Sequence, residues 1–217
     1  MPQLGLGRKI AHDYRDAGYS VSPHLRGISD LRYRYWWSHG AWFDQGDSSA
    51  CVGHSWAHWL EDGPVTQPLL TSDPFAIYHR AQELDEWEGT DYDGSSIRAG
   101  AKVCVELGAV DMYLWAMSLD ETVYTLLEKG PVVAGTDWFE DMFYPDRYGR
   151  VRPTGDVAGG HAWLIDGVNI DRRVFRCKNS WGREWGRRGF FTLGFDDFEY
   201  LRRRDGEVCL AVERSKA

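Results

Sequence analysis

The hydrophobic period of this chain changes once, near Pro131, and that change limits the possible folds more than any other feature. Ahead of it, apolar residues recur at helical spacing. The run CVGHSWAHWLE places them at 52, 56, 59 and 60, so a helix is expected from Cys51 to about Glu61, stopping at Gly63-Pro64. Further helices are expected from Pro74 to about Trp87 behind Asp73 as N-cap, from Ser96 to Leu107 closed by Gly108, and from Leu119 to Lys129 closed by Gly130. After Pro131 the runs PVVAGT, HAWLIDGVNI, RRVFRCKNS, GFFTLG and EVCLAVE are short and β-rich, with turn residues such as Asp171 and the glycines of 182–189 between them. Helices followed by strands predict an α+β chain with a helical lobe over about 44–129 and a β-rich lobe over about 130–217. Residues 1–43 sustain neither period and read as an arm laid across the folded body of 44–217.

Composition excludes several classes of function. The net charge of -8, from 33 acidic against 25 basic side chains, repels polyanions and argues against nucleic acid as a partner. No stretch reaches the roughly 18–20 apolar residues of a membrane span, and the opening MPQLGLGRKIAHDYRDAGYSV has no apolar signal-peptide core. No membrane partner is expected, and the expected location is cytoplasmic. Cys51, Cys104, Cys177 and Cys209 form no CxxC pair, which argues against a zinc site and against a disulfide framework. His54 and His58 stand at i, i+4 on the first helix, but with no glutamate between them and no third ligand in view they read as structural. No metal or cofactor is expected. Cys104, Cys177 and Cys209 read as buried structural thiols, although Cys177 lies two residues from Asn179 on one strand face. The run 202–204 reads as the basic end of a helix, and Asp137, Trp138 and Asp156 as lining for a cleft.

Cys51 is the residue with chemical potential, because a helix N-terminus together with a nearby imidazolium lowers a thiol pKa from about 8.5 to well below neutrality. A nucleophile of this kind needs a histidine base, a group that fixes the histidine's tautomer, and a donor aimed at the tetrahedral oxyanion.

Three blocks in order, DQGDSSACVG (44–53), GGHAWLIDG (159–167) and KNSWGREWGRRGFF (178–191), resemble the signature blocks of the papain-like cysteine peptidases. The resemblance implies a two-lobed papain-like fold with Cys51 as nucleophile, His161 as base and Asn179 as the acceptor that orients it. Gln45, six residues before Cys51, is implied as the oxyanion side-chain donor, and Trp181 as the shield over the His161–Asn179 hydrogen bond. DGSSIRAGAKV (93–103) and GPVVAGTDW (130–138) are similar to the family's substrate strand with its helix and to the strand opening the second lobe. That similarity implies main-chain contacts from Gly94, Ser95 and Gly160 to an extended peptide, and Trp181 is expected among the substrate-binding residues with them. GRKIAHDYRDAGYSV resembles the start of bacterial members.

A rival register puts Ser55-Trp56-Ala57 on the nucleophile block. It sets the nucleophile 10 residues after Gln45 and a full turn inside the helix, so spacing favours Cys51. Ser48 and Val52 depart from the family's usual cysteine and tryptophan, so a disulfide that braces the helical lobe is not expected. The roughly 44 residues ahead of the first block are shorter than a large inhibitory pro-segment, which leaves the arm as a candidate for self-inhibition. The expected function is hydrolysis of a peptide or protein substrate through a thioester. A dedicated transpeptidase or isopeptidase, and a non-catalytic peptide-binding module, are the alternatives.

Overall fold

The structure is a computed structural model describing residues 4–27, 29–36, 42–62, 64 and 73–213. Helix α1 (Cys51–Asp62) runs through the middle of the molecule, with every residue but Glu61 buried. The expected stop at Gly63-Pro64 falls partly outside the described residues, since Gly63 is not among them. Helix α2 (Pro74–Leu84) opens with proline at its first position, and the Asp73 carboxylate accepts from the N–H groups of Phe75 and Ala76. Helix α3 (Ile97–Glu106) is capped by Ser96, and α4 (Leu119–Glu128) by Ser118. Each cap satisfies amide groups that a helix start leaves without a partner, a contribution of about 1 kcal/mol.

The strands are β1 (Tyr33–Tyr35), β2 (Val110–Trp115), β3 (Val132–Phe139), β4 (Val157–Asn169), β5 (Val174–Lys178), β6 (Phe190–Gly194) and β7 (Glu207–Glu213), with helix α5 (Phe195–Arg203) before the last. They form one antiparallel sheet in the order β2-β7-β3-β4-β5-β6, and β1 pairs with the end of β4 that extends past β3. Strand β2 lies within the half expected to be helical. A bulge between Val110 and Met112 breaks its alternation, so the period-2 signal is lost over six residues.

Both faces of the central strands are buried. Val133, Ala162 and Leu164 face the core that holds α1 and α3, while Ala134, Trp163 and Ile165 face a second core with Trp138, Phe175, Phe191 and Phe198. One strand pair thus supplies a wall to each hydrophobic core. That explains the continuous apolar run HAWLI, where a half-exposed strand would alternate.

Burying α1 forces its polar side chains to find partners. Ser55 donates to the Cys51 carbonyl (2.8 Å), and Asp62 forms an ion pair with Lys178, both side chains fully buried. Lys178 immediately precedes Asn179, so this pair ties the end of α1 to the segment carrying that asparagine. Removing one member of a buried pair leaves a charge in apolar surroundings, and Asp62→Ala is expected to cost about 3–5 kcal/mol of unfolding free energy. Replacing both, Asp62→Leu with Lys178→Met, is expected to recover most of that loss. Urea denaturation followed by circular dichroism checks both.

Candidate active site

Cys51 is the first residue of α1, and the backbone amides of Ala162, Gly7 and Val52 lie around its sulfur. Ala162 follows His161 on β4, so the strand that carries the histidine lies against the thiol. The His161 ring bonds through Nε2 to Asn179 Oδ1 at 2.8 Å. Trp181 stacks on the imidazole (4.6 Å between centroids, 19° between planes), and Trp138 meets it edge-on at 4.8 Å. Two indoles and one amide therefore fix the ring, while Nδ1 is buried with no hydrogen-bond partner among the described residues.

Gln45 sits on the loop entering α1, with its backbone N–H on the Ser180 carbonyl (2.8 Å). Its side-chain oxygen accepts from Ser180 Oγ at 2.6 Å, which directs Nε2 to the carbonyls of Ser48 (2.8 Å) and Gly5 (3.1 Å). Ser180 is thus a positioning residue that the sequence reading missed. Its only signal was its place between Asn179 and Trp181.

Electrostatics here are dominated by burial. Loss of solvent pushes the Cys51 thiol up to about 12, against smaller opposing effects from the amides around it. It also takes His161 down to about 4, although the bond to Asn179 works the other way. In this state both groups are uncharged.

Arm residues 5–9 pack beside these groups. Gly5 N–H donates to the Gly46 carbonyl, and the Gly5 carbonyl accepts from Gln45 Nε2 and Trp181 Nε1. The Gly7 and Arg8 amides both donate to the Gly160 carbonyl at 2.9 Å. Ser95 N–H donates to Gly7 O and Ser95 O accepts from Lys9 N–H, a parallel bridge centred on Arg8. Ser95, Gly160 and Trp181, expected to contact an extended peptide, contact these arm residues. The Gly94 amide differs, because it donates to the Tyr78 hydroxyl (3.0 Å), and among the described residues none of its own bonds reaches the arm. Gly94 has φ 86°, and a Cβ there would stand 2.1 Å from the Gly7 carbonyl oxygen, so its contribution is clearance.

Other expected residues resolve as follows. Ser55 is buried one turn inside α1, bonded to the Cys51 carbonyl. His54 and His58 bond to main-chain atoms of Ala50 and Phe43. Cys177 lies in the core against Trp163. Of the three expected cleft residues, Trp138 is buried beneath the histidine, Asp137 pairs with Arg204, and exposed Asp156 accepts from the Glu140 amide through its carbonyl. Strand alternation explains Trp138, since it shares the face of β3 that carries Ala134.

The sequence profile described as papain family cysteine protease matches residues 75–201, a span that includes His161 and Asn179 and begins after Cys51. The chain is 24% identical over 158 residues to cathepsin B-like cysteine proteinase 6 of Caenorhabditis elegans, covering 64% of this chain and 42% of that protein. It is also 24% identical over 203 residues to a peptidase C1-like protein of Acanthamoeba polyphaga mimivirus, covering 70% and 63%. The chain thus spans less than two thirds of the length of these relatives. Among solved structures, xylellain, a cysteine protease from Xylella fastidiosa, superposes with a TM-score of 0.75 at 19% identity, covering 99% of this chain and 97% of its own. Bromelain from Ananas comosus, in complex with the E64 inhibitor, superposes at 0.63 with 13% identity, covering 85% and 100%. With the profile matching more than half of the chain and the fold shared with these proteases, the chain belongs to the papain family of cysteine proteases.

Proposed function

We propose that this chain is a cysteine peptidase with Cys51 as nucleophile, and that residues 4–9 hold it in a closed state. The observation that carries the reading is the placement of Cys51 at the start of α1 against the strand of His161, whose ring is fixed by Asn179. With a peptide in the groove, the thiolate attacks the scissile carbonyl carbon. The developing oxyanion accepts from the Cys51 N–H and from Gln45 Nε2, held in place by Ser180. His161, protonated at Nδ1, gives that proton to the leaving amine as the C–N bond breaks, and a thioester remains. Water then attacks the thioester while His161 takes a proton from it. The carboxylic acid leaves and the thiol returns.

Self-inhibition follows from the same contacts. Gln45 Nε2 is taken by the Gly5 carbonyl, and Gly7, held by its N–H on the Gly160 carbonyl, occupies the space beside the sulfur where a substrate would present a carbonyl carbon. The arm therefore fills the groove without offering a bond to cleave. Four buried, unpaired cysteines support a reducing, cytoplasmic setting for the chain. Transfer to an amine in place of water uses the same thioester. Added amine nucleophiles separate the two outcomes, because exclusive hydrolysis at high amine concentration excludes transfer.

Gly5 and Gly7 give the most direct test. A Cβ on Gly5 would lie 1.8 Å from the Ser48 carbonyl oxygen, and one on Gly7 1.9 Å from that of Ser49. The double substitution Gly5→Ala/Gly7→Ala is expected to expel the arm and to raise the rate of Cys51 alkylation by a thiol-directed epoxide by about tenfold or more, as a shift of ~1.4 kcal/mol in the opening equilibrium requires. Intact mass and peptide mapping read the rate and the site. Peptide hydrolysis by this opened chain is expected to vanish with Cys51→Ala, and hydrolysis that survives that change overturns the reading.

The neutral histidine makes the closed state sensitive to acid. His161 takes up its proton near pH 6.5 when unfolded and near pH 4 when folded, so the unfolded chain binds more protons in between. Its stabilising contribution is complete above about pH 6.5 and is lost as pH falls through 4, a loss of about 2 kcal/mol by pH 5. Asp166, pushed up to about 6 by burial, works in the opposite sense. The His161 contribution is therefore read as the difference between the wild type and His161→Gln in urea unfolding at pH 7 and pH 5, with the wild type expected to lose about 2 kcal/mol more.

A further inference from the structure

The arm fills the groove with two adjacent cations, and the groove holds both side chains. The Arg8 side chain is fully buried, with Nε on Glu207 Oε1 at 3.1 Å and Nη2 on the Asp205 carbonyl. Its aliphatic stem fits beside Ile97 because position 135 is glycine, where a Cβ would come within 2.8 Å of Ile97 Cγ1 and 3.1 Å of Arg8 Cγ. Lys9 extends the other way, its Nζ 3.8 Å from the ring centroids of both Trp87 and Tyr92. Neither Glu207 nor the two rings belong to the arm. They are walls of the groove and remain when the arm leaves.

Resting on the peptidase reading, we propose that the groove selects polypeptides carrying two adjacent basic residues: an arginine in the Glu207 pocket, and a lysine or arginine between Trp87 and Tyr92. A carboxylate at the bottom of a closed pocket is costly to bury without a cation, and a guanidinium carries a fork of donors that serves both Glu207 and the Asp205 carbonyl. A neutral side chain of the same length leaves both acceptors without donors. The two rings present their faces to any cation held between them, and the net charge of -8 draws basic chains toward the groove. The arm competes for the groove by carrying the side chains the groove already reads, at the high local concentration of a tethered segment.

The position of the pair relative to the bond cut follows from the arm. Gly7 lies at the Cys51 sulfur, Arg8 one residue away and Lys9 two. The arm's bridge to Ser95 is parallel, so for a substrate that pairs with Ser95 antiparallel, running opposite to the arm, these places are the second and third positions before the scissile bond.

The test uses the full chain opened by Gly5→Ala/Gly7→Ala and the fluorogenic amides Lys-Arg-Gly, Lys-Leu-Gly and Ala-Arg-Gly. Lys-Arg-Gly is expected to exceed Lys-Leu-Gly by at least about tenfold in kcat/KM, and Ala-Arg-Gly by a few-fold. Glu207→Gln in the opened chain is expected to erase the preference for arginine over leucine. Equal or better cleavage of Lys-Leu-Gly assigns Arg8 and Glu207 to anchoring the arm only, and overturns the proposal. A second measurement is independent of hydrolysis. Arg8→Ala in the otherwise natural chain vacates the pocket, and N-butylguanidine is expected to raise its thermal midpoint, with no such rise in Arg8→Ala/Glu207→Gln. No cleavage of any peptide together with guanidine rescue counts against the peptidase reading and keeps the pocket's preference for a guanidinium. No rescue overturns the inference whatever the hydrolysis shows.

Discussion

Helix α1 is walled in on every side, and much of the remaining structure answers that burial. A helix in this position has no solvent for its ends or its polar side chains. Its carboxyl end therefore carries Asp62 against Lys178, and its histidines turn to main-chain atoms. Its amino end carries Cys51, where the aligned peptide dipoles favour a negative sulfur. The Asp62–Lys178 pair at one end and the Cys51–Ala162 contact at the other hold the helix to consecutive strands β4 and β5. His161 sits on β4 and Asn179 directly follows β5, so the site is assembled by the packing that stabilises the core.

The helix dipole does not prevail in the closed state. Its effect is of order 1 kcal/mol, whereas excluding water from a thiolate and an imidazolium costs several. Burial consequently sets the direction of both shifts, raising the thiol and lowering the imidazole. On the proposed reading, release of the arm readmits water, and the dipole together with the opposite charge of the partner then acts on groups that are again solvated.

Cys51, His161, Asn179, Gln45 and Trp181 could be singled out because the resemblance ties each to a block with fixed spacing; the structure holds His161 on Asn179 and against Trp181, and Gln45 on the loop entering α1. Helices α2 to α4 were legible from their helical period, the Asp73 cap and the closing Gly108 and Gly130; the structure adds Ser96 and Ser118 as side-chain caps. Strand β2 was not, since a bulge spoils its alternation, and Ser180 was not, since its role depends on a contact with Gln45 across 135 positions. Glu207 was hidden for a similar reason. It reads as the polar first residue of a β-rich run until Arg8, 199 positions away, is seen in its pocket.

Where the arm is fastened decides what its release can involve. From Asp13 onward it is held by contacts outside the groove: Asp16 pairs with the nearly buried Arg98, Val21 is buried with its N–H on the Trp115 carbonyl, and β1 adds to the edge of β4. Residues 4–9 lack such anchors and depend on main-chain hydrogen bonds in the groove, the Arg8–Glu207 pair, and glycines that permit the close approach. On the proposed reading, an extended substrate competes for the same main-chain groups of Ser95 and Gly160, and the balance between arm and substrate falls to the side chains in the Glu207 pocket and between the two rings.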